Sequence, residues 1–434
     1  MTSFTDLGLA EPILRAVTAE GYTKPTPIQA GVIPDMMAGR DIVGIAQTGT
    51  GKTAAFVLPI LHKLHKLDRP EPKTCAALIL APTRELAAQI ADNVRSYSQF
   101  LGLSVTVVVG GVKPRAQIRA LARGVDILVA TPGRLEDHIS TGAITLARTN
   151  TVVLDEADQM MDLGFMPAIR RVMKQLPKKR QTMLLSATMP KQIRALANDF
   201  LSNPSEINLA PQSRPIESIA QKVYFVGKQA KRQLLEELVL SPQIERVIIF
   251  TRTKHGANKV VINLQKRGLE AAAIHGNKSQ NQRQKTLNAF RSGELNILVA
   301  TDIAARGIDI DDISHIINYE LPNIPESYVH RIGRTARAGK SGVAISLMDG
   351  TERGFLRDIE KLTGITLERV ESEYSKTYDA SQEGKPANPR NFGNTFKNKP
   401  RRSGQKPGGH RGKSGQGNPG QNRRPNRRSN PRAA

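Results

Sequence analysis

AQTGTGKT, Ala46 to Thr53, is the run from which the rest of this chain can be read. It follows the apolar stretch Asp41-Ile-Val-Gly-Ile45 and leads into Ala54-Ala55-Phe56, which reads as the start of a helix. A glycine-rich turn between a strand and a helix aims backbone N–H groups at one point. The positive end of the helix dipole lies at the same point, so the spot suits phosphate. Lys52 can reach the β- and γ-phosphates of a nucleotide there, and the Thr53 hydroxyl can ligate Mg²⁺. The strict pattern begins with Gly, and here Ala46 stands in that place. Taken alone, the run is also compatible with a chance glycine-rich turn.

Further along, Thr151-Val-Val-Leu154 is a short continuous apolar run, as expected of a strand buried on both faces of a parallel sheet. It ends in Asp155-Glu156-Ala157-Asp158. A carboxylate at the C-terminal end of such a strand lies beside the phosphate loop. Asp155 can hold Mg²⁺ through water, and Glu156 can orient or deprotonate an attacking water. The plainer alternative is a solvated helix start, where acids favour the dipole. The loop upstream argues for the first reading.

Other short segments follow the same order. Before the loop come Phe4 and Gly21-Tyr-Thr-Lys-Pro25-Thr-Pro-Ile-Gln29. After it come Pro82-Thr-Arg84-Glu-Leu86, Gly110-Gly111, Thr131-Pro-Gly133-Arg134 and Ser186-Ala-Thr188. The second half has Val247-Ile-Ile-Phe250-Thr251, Gln280 with Arg283, Thr301-Asp302 through Arg306-Gly307-Ile-Asp309, and His330-Arg-Ile-Gly-Arg334-Thr-Ala-Arg337. From about Phe4 to about Leu347 the chain resembles the DEAD-box ATP-dependent RNA helicases of superfamily 2. DEADQMMDLGF, Asp155 to Phe165, and the basic C-terminal region most resemble the bacterial RhlE-type branch. Ala336 departs from the glycine common in the family and leaves both arginines in place.

The resemblance implies an α/β fold of two tandem RecA-like parallel-sheet domains with a cleft between them. It implies ATP and Mg²⁺ as cofactors. Ala46, Gln47, Thr48, Gly49, Thr50, Gly51, Lys52 and Thr53 would cradle the triphosphate, with Gly307 and Asp309 completing the nucleotide site. The metal would sit on Thr53 and Asp155. Lys52, Asp155, Glu156, Arg334 and Arg337 form the catalytic set, the two arginines acting as fingers from the second domain. Spaced three apart, they share a helical face. Gln29 has an amide that can both donate to and accept from adenine. Phe4, 17 residues before Gly21, stands where the family stacks an aromatic on the base, although a core role fits it too. Arg84, Gly110, Gly111, Thr131, Gly133 and Arg134, with Thr251, Gly276, Arg283 and Thr301 opposite, are the implied RNA contacts. Glycines, hydroxyls and arginines suit sugar and phosphate, so such contacts position a strand without reading its sequence. Asp158, Ser186 and Thr188 would couple the two sites.

Composition agrees with a polyanionic partner. The 434 residues carry 63 Lys and Arg against 39 Asp and Glu, a net +24. With seven Tyr, eleven Phe and no Trp, scattered, a base-stacking platform is not expected. One cysteine, Cys75, excludes a disulfide framework or a cysteine zinc site. MTSFTDLG is not a secretory signal, and no run reaches the ~18 apolar residues of a membrane span, so a cytoplasmic protein is expected.

Apolar runs alternating with helical periodicity predict parallel α/β sheets. The pattern restarts after NLAPQSRPIES. The expected organisation is domain one over 1–207, a linker over 208–218, domain two over 219–370 and an unstructured basic tail over 371–434. From Lys376 onward there are 15 Lys and Arg and two acids, a net +13 in a Gly-, Pro- and Asn-rich segment. The expected function is RNA-stimulated ATP hydrolysis coupled to domain closure and local, non-processive unwinding of short duplexes or remodelling of RNA–protein complexes. Ribosomal precursors and the RNA-decay machinery both fit as its setting. The alternatives are an RNA-annealing chaperone with incidental ATPase, and a processive DNA translocase.

Overall fold

The computed structural model describes residues 3–46, 49–209, 219–305, 310, 312–336 and 341–383. Two seven-stranded sheets, every pairing parallel, form two lobes. The first sheet holds β1 Ile42–Ile45, β2 Cys75–Leu80, β3 Val105–Val108, β4 Val125–Ala130, β5 Thr151–Leu154, β6 Gln181–Ser186 and β7 Ser205–Asn208, in the order β3-β4-β2-β5-β6-β1-β7. The second holds β8 Ile219–Phe225, β9 Val247–Phe250, β10 Ala271–Ile274, β11 Ile297–Ala300, β12 His315–Asn318, β13 Gly342–Met348 and β14 Glu368–Val370, in the order β10-β11-β9-β12-β13-β8-β14. The central strands are continuous aliphatic runs because both faces are covered. Ala77 and Ile79 of β2 enter one core, and Leu78 and Leu80 enter the core on the opposite face. In β9, Val247 and Ile249 divide from Ile248 and Phe250 in the same way.

The C-terminal strand ends carry the motifs. Ala46 follows β1, Asp155 follows β5, Ser186 closes β6, and Thr131, Thr251 and Thr301 follow β4, β9 and β11. In open parallel sheets this is the edge where ligands bind.

Two expectations are corrected. Asn208, assigned to the linker, pairs with Ile45 as the last residue of β7; residues 210–218 lie outside the described residues. The start of the tail is also not unstructured. Residues Glu373–Thr377 and Ala380–Gln382 form short 3₁₀ turns on the second lobe. Gly227 N donates to Thr377 Oγ1 at 2.8 Å, and the Tyr378 ring meets Phe225 edge-on at 5.2 Å. The aromatic residues hidden in this polar stretch supply the apolar contact that composition alone did not weigh. The expected tail over 384–434 lies outside the described residues.

Candidate functional site

The turn after β1 needs glycine. Gly49 and Gly51 have φ of 83° and 90°, and a Cβ on Gly51 would lie 2.6 Å from Gln29 Nε2. Lys52 then opens the helix Lys52–Leu64 with its side chain buried. Its ammonium, with three protons to give, donates one to the Ala46 carbonyl at 2.9 Å. Thr53 is half-buried beside it, as is Thr50. Gln47 and Thr48 lie outside the described residues. Gln29 braces the loop: its Nε2 donates to Gly51 O at 3.2 Å, and its Oε1 accepts from Thr26 N at 2.9 Å. Phe4 is buried in the core cluster, its ring stacked on Tyr22 at 6.4 Å. Its ring is therefore engaged in packing, the core role that its sequence position also allowed.

The acidic turn after β5 is tight. Glu156 has φ 53° and ψ 53°, a left-handed conformation that costs a non-glycine residue roughly 1 kcal/mol or more. Asp155 and Glu156 are both buried, and Asp155 Oδ1 and Glu156 Oε2 have no hydrogen-bond partner among the described residues. Burial raises both carboxyls and Lys52 opposes it; Asp158 repels Asp155, Asp155 and Asp158 repel Glu156, and Glu156 reaches about 7. Orphaned buried carboxylate oxygens beside a phosphate-type turn fit a divalent cation, a hard ion that takes oxygen ligands. Asp158 is satisfied differently. Its Oδ2 accepts from Ala187 N, Thr188 N and Thr188 Oγ1 at 3.1, 2.9 and 3.0 Å, while its own N donates to Ser186 Oγ at 3.3 Å. The expected coupling triplet is thus one hydrogen-bonded unit.

From the second lobe, the helix Pro325–Ile332 leads into Arg334, which is buried and donates through Nε to His330 O at 3.3 Å. Its charge lowers the Glu156 pKa, so the guanidinium is felt across the lobe boundary. One turn earlier is Arg331, which the motif reading passed over. It is fully buried, forks onto Asp302 at 2.5 and 2.8 Å, and also donates to Asn318 Oδ1 and Glu320 O. Arg337, Gly307 and Asp309 fall outside the described residues.

A cleft of about 380 Å³ gathers seven of the ten expected RNA contacts: Arg84, Gly110, Thr131, Gly133 and Arg134 from one lobe, and Gly276 and Arg283 from the other. Gly111, Thr251 and Thr301 are not on its wall. Thr251 is fully buried, its hydroxyl donating to Thr253 O. Gly111 lies under Arg84, and a Cβ there would fall 1.9 Å from Nη1. Arg84 is held below its ordinary pKa by burial first, then by the repulsion of Arg283 and Arg134. Arg283 is itself engaged, its Nε lying 2.6 Å from Glu85 Oε1, which also accepts from Gln280 Nε2. Glu85, in the middle of Pro82-Thr-Arg-Glu-Leu86, is thus an interlobe partner that sequence reading missed. Lys278 and the exposed Ile303 also line the cleft without any motif signal.

Two stacked parallel α/β lobes with the ligand edges turned to a shared cleft make this a tandem RecA-like protein. The DEAD/DEAH box helicase model matches residues 26–196, and the helicase conserved C-terminal domain model matches 230–339. The chain is 43% identical over 371 residues to the ATP-dependent RNA helicase DeaD of Escherichia coli, covering 85% of this chain but only 58% of that protein. It is 41% identical over 384 residues to the DEAD-box ATP-dependent RNA helicase CshA of Geobacillus kaustophilus, covering 88% of this chain and 81% of CshA. Among solved structures, Saccharomyces cerevisiae Dbp5 bound to RNA and ADP BeF3 superposes with a TM-score of 0.76 at 32% identity, over 85% of this chain and 96% of that one. The chain belongs to the DEAD-box helicase family.

Proposed function

We propose that this protein is an RNA-stimulated ATPase that closes its two lobes on ATP and a single RNA strand and thereby melts short duplexes. The carrying observation is geometric: one cleft is walled by residues of both lobes, and Arg283 of the second pairs with Glu85 of the first at 2.6 Å, so the site is assembled where the lobes meet. In this reading the loop amides and Lys52 hold the triphosphate. Thr53 and Asp155 would hold Mg²⁺, which when bound neutralises charge on the phosphate oxygens. Glu156 orients the attacking water and takes its proton, with Arg334, and Arg337 from the same motif, offset the charge that develops on the γ-phosphate. Gln29 contributes the adenine-reading amide, and Phe4 supports that segment by packing.

The cationic cleft is the RNA path. Arg84, Arg134 and Lys278 meet phosphate there, while Gly110, Gly133 and Gly276 let sugar and backbone approach closely. The Arg283–Glu85 pair spans the lobes and favours the closed arrangement. Closure gives RNA its control over hydrolysis, and a clasped strand cannot remain paired. Asp158 with Ser186 and Thr188 transmits closure between the two sites. A first lobe that runs through Asn208, a second that runs from Ile219 through the turns ending at Gln382, a basic tail that tethers RNA, a cytoplasmic setting and the RhlE-type branch complete the proposal. The bacterial relatives support the setting; no helix among the described residues is long and apolar enough to cross a membrane.

The test pairs two assays. ATP turnover should rise severalfold with added single-stranded RNA, and strand separation should fall steeply as the duplex lengthens. Unwinding that is insensitive to duplex length would favour a processive translocase. RNA annealing without stimulated turnover would favour a chaperone.

A further inference from the structure

The Gly110-Gly111 turn and the helix Pro132–Ser140 follow different strands, yet both reach the cleft. A buried polar pair that no motif marks ties them together. Gln117 lies on the helix Pro114–Leu121 and is 6% exposed; His138, on the helix Pro132–Ser140, is 2% exposed. Gln117 Nε2 donates to the carbonyl of Val109, the residue just before the glycine turn, at 2.9 Å. Gln117 Oε1 lies 3.0 Å from His138 Nε2. The direction of both bonds is forced. A backbone carbonyl only accepts, so the amide must turn its NH₂ to Val109 and its oxygen to the ring. The ring nitrogen therefore carries the proton. Beside this pair, Arg134 Nη1 donates to Val112 O at 2.9 Å. The turn is thus held on both sides, through Val109 and through Val112, by residues of a single helix or their direct partner. That helix also carries Gly133 and follows Thr131.

We propose that Gln117 and His138 are positioning residues for RNA. By fixing the Val109 carbonyl against the helix Pro132–Ser140, they set the spacing between the Gly110-Gly111 backbone and the Thr131–Arg134 segment along the bound strand. The inference rests on the RNA-dependent reading above. Its physical basis is that backbone contacts cannot adapt as long side chains do. A glycine turn displaced by about an ångström loses its hydrogen-bond geometry to sugar and phosphate. Arg84 adds a constraint, since it lies over both glycines and leaves the turn little freedom to compensate.

The experiment uses the full chain, ATP and poly(U). In Gln117→Met, close in shape but without either hydrogen bond, the poly(U) concentration giving half-maximal stimulation should rise about tenfold, the effect of losing one to two ordinary hydrogen bonds. Turnover at saturating poly(U), turnover without RNA and the KM for ATP should stay within about twofold. His138→Gln keeps an N–H donor and should shift the half-stimulating concentration by less than about threefold, whereas His138→Leu should resemble Gln117→Met. If Gln117→Met does not fold, the two His138 variants decide. An unshifted half-stimulating concentration overturns the proposal. So does a parallel loss of RNA-free turnover, which would mark a general packing role. A wild-type rate that poly(U) does not raise would sink the RNA-dependent reading itself, whereas a stimulated wild type with unshifted variants sinks only this inference.

Discussion

Lys52 and Lys231 occupy the same place in two copies of one plan. The strand order of the second sheet repeats that of the first, and in each the strand next to the edge, β1 or β8, runs into a turn and a helix that opens with a buried lysine. The partners differ. Lys52 gives one proton to a backbone carbonyl and faces carboxylates whose own oxygens are unsatisfied. Lys231 is locked by the chain itself, with Glu352 in direct contact, Asp349 Oδ2 at 3.2 Å and the Tyr319 carbonyl at 3.3 Å. Arg252 at 3.2 Å and the N–H of Leu321 close the far side of Glu352. These groups follow β12 and β13, just as Asp155 and Thr188 follow β5 and β6. The second lobe has filled with its own acids the place that the first leaves for phosphate. In the proposed reading this lobe holds no nucleotide of its own, and its Arg334 serves the site of its neighbour.

The comparison breaks first if Arg334 is not that service. Arg334→Ala should lower kcat by on the order of a thousandfold, the scale of a transition-state arginine, with a much smaller change in the KM for ATP. A variant impaired only in KM would assign Arg334 to ground-state binding. Glu156→Gln should slow single-turnover hydrolysis by about a hundred- to a thousandfold while ATP still binds, and RNA affinity with ATP should equal or exceed that of the wild type. Asp155→Asn should instead lose metal-dependent ATP binding; identical failure of the two would merge roles separated here. The lysines give a crossed pair. Lys52→Ala should cost about ten- to a thousandfold in turnover and leave the melting curve nearly unchanged. Lys231→Met takes from buried Glu352 one of its two cations and from Asp349 its cation, and should cost about 3–5 kcal/mol of stability in urea titration while sparing turnover at temperatures where it is folded. Lys231→Met that stays stable but is inactive would end the parallel.

The smallest effect concerns the C-terminal region. Residues 384–434 carry 14 Lys and Arg and no Asp or Glu. A chain ending at Glu383 keeps the turns packed on the second lobe. It should retain turnover at saturating RNA, need more RNA for half-stimulation, and show a log K against log salt slope flatter by roughly 3 to 6, at about 0.7 per phosphate released. An unchanged half-stimulating concentration at low salt would make this region a solubiliser.

The sequence disclosed most of what lies at strand ends. Val247–Phe250 could be delimited to the residue, because strands covered on both faces are unbroken aliphatic runs. The edge strands β7, of sequence SEIN, and β14, of sequence ERV, were invisible for the converse reason, and β8 alternates apolar with polar residues. At the site, Lys52, Asp155, Glu156 and Asp158 were legible because a phosphate turn and an acidic strand end have few other uses together. Glu85, Arg331, Gln117 and His138 were not. Their chemistry depends on partners many residues away, and no local pattern announces which glutamate will meet Arg283 or which glutamine will find Val109.

One feature of the second lobe reaches further. The fork of Arg331 onto Asp302 joins the residue after Thr301, an expected RNA contact, to the helix that in the proposed reading brings Arg334 to the nucleotide. In the proposed mechanism, strand and nucleotide then act on a single body. Linkage then requires a symmetry that turnover measurements alone would not disclose: whatever factor bound RNA adds to the affinity for unhydrolysed nucleotide, the nucleotide must add to the affinity for RNA.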